Sequence, residues 1–384
     1  MLFKGTQKRT YQQISRDIDR RGGFLNAYTD RELTAYYTEI SARHLVTGLE
    51  VLADMLRQSN LPPNELETER NVILEEMLMI ADSPEDYVFD LFFETAFGPG
   101  SNLGRPIIGA EENIKSCSRD TLFDFYQKHY QPSNLVISLS GALYQNATEL
   151  ANLKATLEEF FSTPQEGSAR SLPYQHIAPQ PSYGGQVEHL EKDTEQIQFV
   201  LGLPGCSRNG FQPEYSIFNQ FLGGASSSRL FLKLREESGL CYGIASAEER
   251  FAAEGIFLIH GSTATKNFLP AMDLVMQTIY EAVNDENLLG EINDAKEGLI
   301  SSMDMLLESS RFRAGYLAKN LMHTGEPGNF TQLEESLAGC SAEQVQDKLK
   351  QSWTSQSFSF QSIGNMSSNE VKKQIGVRYP AAIF

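Results

Sequence analysis

Along residues 44–56, H-L-V-T-G-L-E-V-L-A-D-M-L, apolar side chains recur at spacings of three and four, the period of a helix with one buried face. Just before it, T-A-Y-Y-T-E-I (34–40) is rich in β-formers and reads as a strand. A second helix is predicted over 64–81, after Pro62-Pro63 and with Asn64 as N-cap; Leu66, Ile73, Met77 and Ile80 form its apolar stripe. The same order returns about 221 residues later: strand 255–261, helix 267–283, helix 287–309. Two further strands are expected at corresponding places, L-V-I-S-L-S-G (135–141) and S-F-S-F-Q-S-I-G (357–364). One α/β plan used twice is the natural reading, with chance recurrence of α/β segments as the alternative.

Residues 164–185 are rich in Pro, Gly and Ser and fit neither period, so they are expected to link a first domain, 1–163, to a second, 186–384. The 384 residues are enough for two cores, and no stretch approaches the roughly 18 apolar residues of a membrane span. The formal net charge of −18 disfavours nucleic-acid backbones as partners. It can attract basic peptides, and solubility alone explains it equally well. The four cysteines, Cys117, Cys206, Cys241 and Cys340, show no metal or redox spacing and are expected to be reduced and mostly buried.

Three stretches carry candidate chemistry. In N-E-L-E-T-E-R-N-V-I-L-E-E-M (64–77), Glu69 and Glu76 are seven apart and share a helix face; a solvated acidic face is the plain alternative. In R-R-G-G-F-L-N-A-Y-T-D-R-E-L-T-A-Y-Y (20–37), Gly22-Gly23 turns into a strand whose edge can take an extended peptide; an ordinary hairpin explains it too. In L-G-G-A-S-S-S-R-L-F-L-K-L-R-E-E-S-G-L-C-Y-G-I (222–244), a short helix R-L-F-L-K-L-R ends at Gly239 before a strand. Arg235 and Tyr242 flank that turn and can donate to one substrate oxygen, unless Arg235 simply pairs with Glu236 or Glu237.

These stretches, with M-L-F-K-G-T at the start, G-R-P-I-I-G-A-E-E-N-I (104–114) and F-Y-Q-K-H-Y-Q-P-S-N-L-V-I-S-L-S-G (125–141), resemble the pitrilysin family of zinc metallopeptidases, in the branch near mitochondrial processing peptidase and its small bacterial relatives. The resemblance implies two α/β (α+β) domains, each a mostly antiparallel sheet backed by helices, facing each other as a clamshell. In that family an H-x-x-E-H helix supplies two zinc ligands and the general base, and M-L-F-K-G-T follows the second His. This chain is therefore expected to start just after the motif, with residues 1–20 shifted or frayed. The six histidines, His44, His129, His176, His189, His260 and His323, offer no substitute.

By the same resemblance Glu76 is the third zinc ligand, with Glu75 the competing assignment. Glu69 supports the site, and Asn26 and Ala27 lie on the substrate-binding edge. Arg235 holds the substrate backbone and Tyr242 stabilises the oxyanion. The implied activity is zinc-dependent endopeptidase action on unfolded peptides, basic ones included, with Zn2+ in the full-length protein and no tight binding or hydrolysis by this chain. The alternative is a non-catalytic partner or scaffold subunit of a heterodimeric peptidase, the discriminator being that such partners commonly erode the third Glu. A homodimer or a heterodimer with a related subunit is the implied assembly. A cytoplasmic location is favoured, with periplasm or organelle matrix compatible.

Overall fold

A computed structural model describes residues 1–162, 185–353 and 358–378. All but the last residue of the expected 164–185 linker lies outside these. The described elements form two compact units. The first comprises residues 1–79, 107–176 and 309–328, and the second 80–106, 177–308 and 329–384.

In the first unit, a 3-10 turn (Leu2–Lys4) leads into α1 (Tyr11–Asp19). β1 (Phe24–Thr29) and β2 (Thr34–Glu39) form an antiparallel hairpin with Asn26 opposite Tyr37 and Ala27 opposite Tyr36. α2 (Leu45–Gln58), α3 (Pro63–Asp82), α5 (Glu111–Ser116), α6 (Arg119–His129), α7 (Ala147–Phe161) and α11 (Ser310–Thr324) complete its helices. Residues 1–20 are not frayed as expected. Leu2, Ile14 and Ile18 are buried, and Thr10 closes a capping box with Gln13 on α1. The inner face of the hairpin packs Leu25 and Tyr36 against Ile14, Ile18, Val51 and Met55.

Arg9 ties this unit together. Its guanidinium donates to Asp17 at 2.9 Å, Glu50 at 2.8 Å and Asp54 at 2.8 Å, while the Thr6 hydroxyl donates to Asp54 at 2.7 Å. Burial alone would lower the Arg9 pKa, but hydrogen bonds to Glu50, Asp17 and Asp54 outweigh it and raise the value.

The expected strand at 135–141 is not formed. Residues 135–140 carry no regular secondary structure, and the first unit's described sheet holds β1 and β2 alone. A run of β-formers becomes a strand only when a neighbour completes its ladder, and among the described residues no strand pairs with this one.

The second unit is built on a five-stranded sheet of order β3-β7-β4-β6-β5. Its strands are β3 (Val187–Glu191), β4 (Gln196–Pro204), β5 (Cys241–Arg250), β6 (Gly255–Ala264) and β7 (Ser359–Gly364). Only the β3–β7 pair is parallel, so the sheet is mostly antiparallel, as expected. α8 (Pro213–Leu222), α9 (Phe268–Asn284), α10 (Leu289–Leu307), α12 (Phe330–Ala338), α13 (Ala342–Trp353) and α14 (Ser368–Arg378) belong to this unit. Phe199, Phe218, Phe257, Phe268 and Trp353 fill the main core.

α4 (Pro84–Phe97), from the N-terminal half of the chain, also belongs to this unit. It buries Val88, Phe92, Phe93, Ala96 and Phe97 with Val200, Ile256, Leu258 and Ile363. Gly202 makes that contact possible, because a Cβ there would lie 2.3 Å from Phe92 Cζ. The predicted helices at 44–56, 267–283 and 287–309 match α2, α9 and α10. α3 starts at Pro63, which puts Asn64 inside its first turn rather than at its cap.

Candidate functional site

In the first unit, α3 carries both candidate carboxylates. It has no fully buried side chain and is held through its backbone neighbours instead. Arg119 donates to the carbonyls of Asn60 at 2.9 Å and Leu61 at 3.0 Å, where the chain enters the helix. Leu61 is buried there with φ of +41°, a costly conformation for a branched residue. Further along, Arg70 donates to the carbonyls of Ile114, Lys115 and Cys117 at the end of α5. Neither arginine was singled out from sequence; the E-T-E-R phrase that contains Arg70 was the available signal.

Glu69 faces the start of the chain. Lys4 Nζ lies 2.6 Å from its Oε1, and the Met1 amino group lies 3.8 Å from its Oε2. The hydrogen bond to Glu69 raises the Lys4 pKa. Burial lowers that of the Met1 amino group, against the pull of Glu69. Glu76 is two turns further along, exposed, as is Glu75. Among the described residues no group of three or more His, Cys, Asp and Glu is placed to hold a metal ion. Catalytic zinc takes about three protein ligands and an open position. The described residues therefore do not fit a zinc site, and Glu76 alone cannot make one.

Asn26 and Ala27 lie on β1, the open side of the hairpin. The Ala27 N–H donates to Asn26 Oδ1 at 2.8 Å, so a side chain caps a backbone donor that β2 does not use. On the outer face, Phe24 and Tyr28 stand exposed on either side of Tyr37, with ring centroids 6.1 and 6.3 Å away.

In the second unit the structure brings Arg235 and Tyr242 together. The helix expected before Gly239 is a π-helix, Phe231–Glu237. Gly239, with φ of +60°, turns the chain so that Leu240 N–H donates to Leu234 O at 2.8 Å. β5 then begins with a bulge: Cys241 pairs with Thr263 and Gly243 with Ser262. Tyr242 is the extra residue, outside the ladder, and it is 76% exposed. The Arg235 guanidinium lies 4.9 Å from the Phe231 ring centroid and 5.8 Å from that of Tyr242. Glu236 is 3.8 Å away, so the ion-pair alternative is present as well, as a loose contact. A π-turn and a bulge are the two irregularities most often used to re-aim side chains. Neither has a sequence signature that spacing reveals.

The helix also carries Lys233, paired with Glu281; the hydrogen bond from Lys233 holds the Glu281 carboxyl below its usual range. His260, on β6, packs edge-on against Phe89 at 5.1 Å, and burial lowers its pKa; His129 lies against Phe125. His260 is thus part of the packing under α4, whereas His129 is exposed. The four thiols are free, with Cys206, Cys241 and Cys340 buried and Cys117 half-buried.

Comparisons with known proteins bear on this arrangement. Residues 1–111 match the profile described as insulinase (peptidase family M16), and residues 116–299 the peptidase M16 inactive domain. The uncharacterized zinc protease YmxG of Bacillus subtilis is 31% identical over 356 residues, which is 92% of this chain and 84% of that protein. An uncharacterized zinc protease of Streptomyces coelicolor is 36% identical over 68% of this chain and 56% of its own length. Among solved structures, a peptidase M16 inactive domain from Pseudomonas fluorescens aligns with a TM-score of 0.80 at 18% identity, covering 96% of this chain and 87% of that one. A protease from Helicobacter pylori aligns with a TM-score of 0.81 at 21% identity, covering 94% and 86%. These likenesses agree with the resemblance read from the motifs, and the chain belongs to peptidase family M16, the pitrilysin family.

Proposed function

We propose that this chain is part of a zinc-dependent endopeptidase that cleaves unfolded peptides, and that the 384 residues by themselves do not hydrolyse them. The observation that carries this reading is the Arg235–Tyr242 pair. A 76% exposed tyrosine on a bulge, beside an arginine on a π-helix, presents two hydrogen-bond donors together at the surface of the second unit. In this reading an extended substrate adds to β1, exchanging the Asn26–Ala27 contact for ladder hydrogen bonds. In the second unit, taken by itself, Arg235 is the residue that the family resemblance gives to a peptide carbonyl. The Tyr242 hydroxyl donates to the oxygen that becomes negative when the peptide carbon turns tetrahedral, a contribution of roughly 3 kcal/mol per donor. Glu76 is the carboxylate this chain would bring to a metal, with Glu69 beside it on the helix face. In the family an H-x-x-E-H motif supplies the other ligands, and the 384 residues hold no such motif.

The test uses a fluorescein-labelled unfolded basic peptide. Ala27→Pro removes the edge donor, and Arg235→Gln removes the second-unit donor; each should weaken binding about tenfold, and unchanged affinity in both refutes the reading. The chain dialysed against zinc should retain a substoichiometric amount and show no turnover.

A second reading is a non-catalytic partner in a heterodimeric peptidase. The match of residues 116–299 to the peptidase M16 inactive domain favours it. The presence of Glu69, Glu76, Arg235 and Tyr242 together speaks for the first, since a scaffold has no need of them. Activity that appears only on mixing with a related, metal-bearing subunit would establish the second reading.

A further inference from the structure

α4 and α11 occupy corresponding places in the two halves of the chain, yet they are held by opposite forces. α4 buries five apolar side chains. α11 fully buries only His323, and none of its apolar side chains joins a buried cluster. Arg311, Lys319 and His323 join it to the outer face of the hairpin. Arg311 donates to Tyr37 Oη at 2.8 Å, lies 3.5 Å from Glu39, and covers the Tyr37 ring at 4.4 Å. Two turns on, Lys319 lies 3.5 Å from Asp30 and covers the Tyr28 ring at 5.4 Å. At the C-terminal end, His323 Nδ1 is 3.5 Å from Glu32. The Arg311–Glu39 and Lys319–Asp30 pairs are both open to solvent, with side-chain exposures between 32% and 53%.

We propose that α11 is an electrostatic strap that releases reversibly from the β1–β2 hairpin and, while seated, fills the cation seats of that face with residues of the chain's own. The face is Phe24, Tyr28 and Tyr37 ringed by Asp30, Glu32 and Glu39. The seats are carboxylates beside aromatic rings, the chemistry that holds any guanidinium or ammonium group. A basic peptide segment thus competes with Arg311 and Lys319. This goes beyond the peptide reading above, because it concerns the face of the hairpin and not its edge. A freed α11 of 15 residues is marginal as an isolated helix, so release shows as loss of its backbone protection.

Hydrogen exchange read helix by helix tests this in the intact chain, with α4 as internal control. Raising salt from about 0.05 M to about 1 M shortens the screening length to roughly 3 Å and should speed α11 exchange about fivefold, leaving α4 unchanged. The double variant Arg311→Gln, Lys319→Gln should show the fast α11 exchange already at low salt. An arginine octapeptide should speed α11 exchange more than potassium chloride of equal ionic strength. Exchange in α11 that ignores both salt and the double variant overturns the strap. An octapeptide effect no larger than that of salt overturns the competition. All these readouts lie on α11, so they stand or fall separately from the Ala27→Pro result.

Discussion

Replacing Arg9 by Met tests how the first unit is held. The side chain has a similar length and no charge. In the native chain Arg9 serves three carboxylates, which differ in burial: the side chain of Asp54 is 3% exposed, Asp17 21% and Glu50 38%. Water can take over at Glu50 and largely at Asp17, so their pairs are worth at most about 1 kcal/mol each. Asp54 is different. It retains only the Thr6 hydroxyl, and stranding a buried charge costs about 3–5 kcal/mol. A loss of about 3–4 kcal/mol is expected. With an m-value of about 3 kcal/mol/M, the urea midpoint of the first unit should fall by about 1 M, measured by far-UV circular dichroism and by exchange of β1 and α2 amides. Adding Asp54→Asn to Arg9→Met should restore at least about half the loss, because the amide still accepts from Thr6 and carries no charge to strand. A single variant costing under about 1 kcal/mol, or a double variant as unstable as the sum of the two singles, would refute the reasoning.

Other outcomes follow from the same structure. Burial raises the Glu248 pKa above its usual 4.5, with Arg250 and Ser216 opposing. The folded state thus holds this proton more tightly than the unfolded chain, and the cost of ionising it accumulates as pH rises from 4.5 through the shifted value. Glu248→Gln should therefore gain stability over the native chain above that range and none below pH 4 in urea titrations. His260 has the reverse sign: burial lowers its pKa, so stability should fall as pH drops below about 6.5, and thermal melts of His260→Gln should lack that component. Gly202→Ala should overpack Phe92 and lower the melting temperature, at a cost of about 1–3 kcal/mol, with Phe92→Leu in the same chain relieving part of it. Glu76→Gln should leave the zinc content of this chain unchanged by elemental analysis. A fall from one equivalent to none would show a ligand set that the described residues lack.

What could be read ahead was whatever is local and periodic. Helices α2, α9 and α10 announce themselves because their apolar residues must line one face. The hairpin does so because Gly22-Gly23 and a run of Tyr, Thr and Ala leave few alternatives. The strand at 135–141 failed because a strand is a property of two segments, and sequence shows only one. The F-D-L-F-F-E-T-A-F run of α4 signals burial, but not which sheet receives it. At the site, Arg235 and Tyr242 were recognised by resemblance, whereas the π-helix and the bulge that aim them were not. Those depend on how Gly239 and the Thr263 ladder share the chain's last turn. Arg9, Arg70 and Arg119 bond to groups that are mostly 40 or more residues away, beyond any local rule.

The exchange of α4 and α11 between the two units has a consequence for how such a chain can be taken apart. Each half contributes a helix that completes the other half's unit. Cut between residues 163 and 185, the first fragment would carry Phe92, Phe93 and Phe97 with no sheet to cover them, and the second would lack the helix that seals β4 and β7. Neither fragment should be soluble alone, while the two expressed together should reassemble.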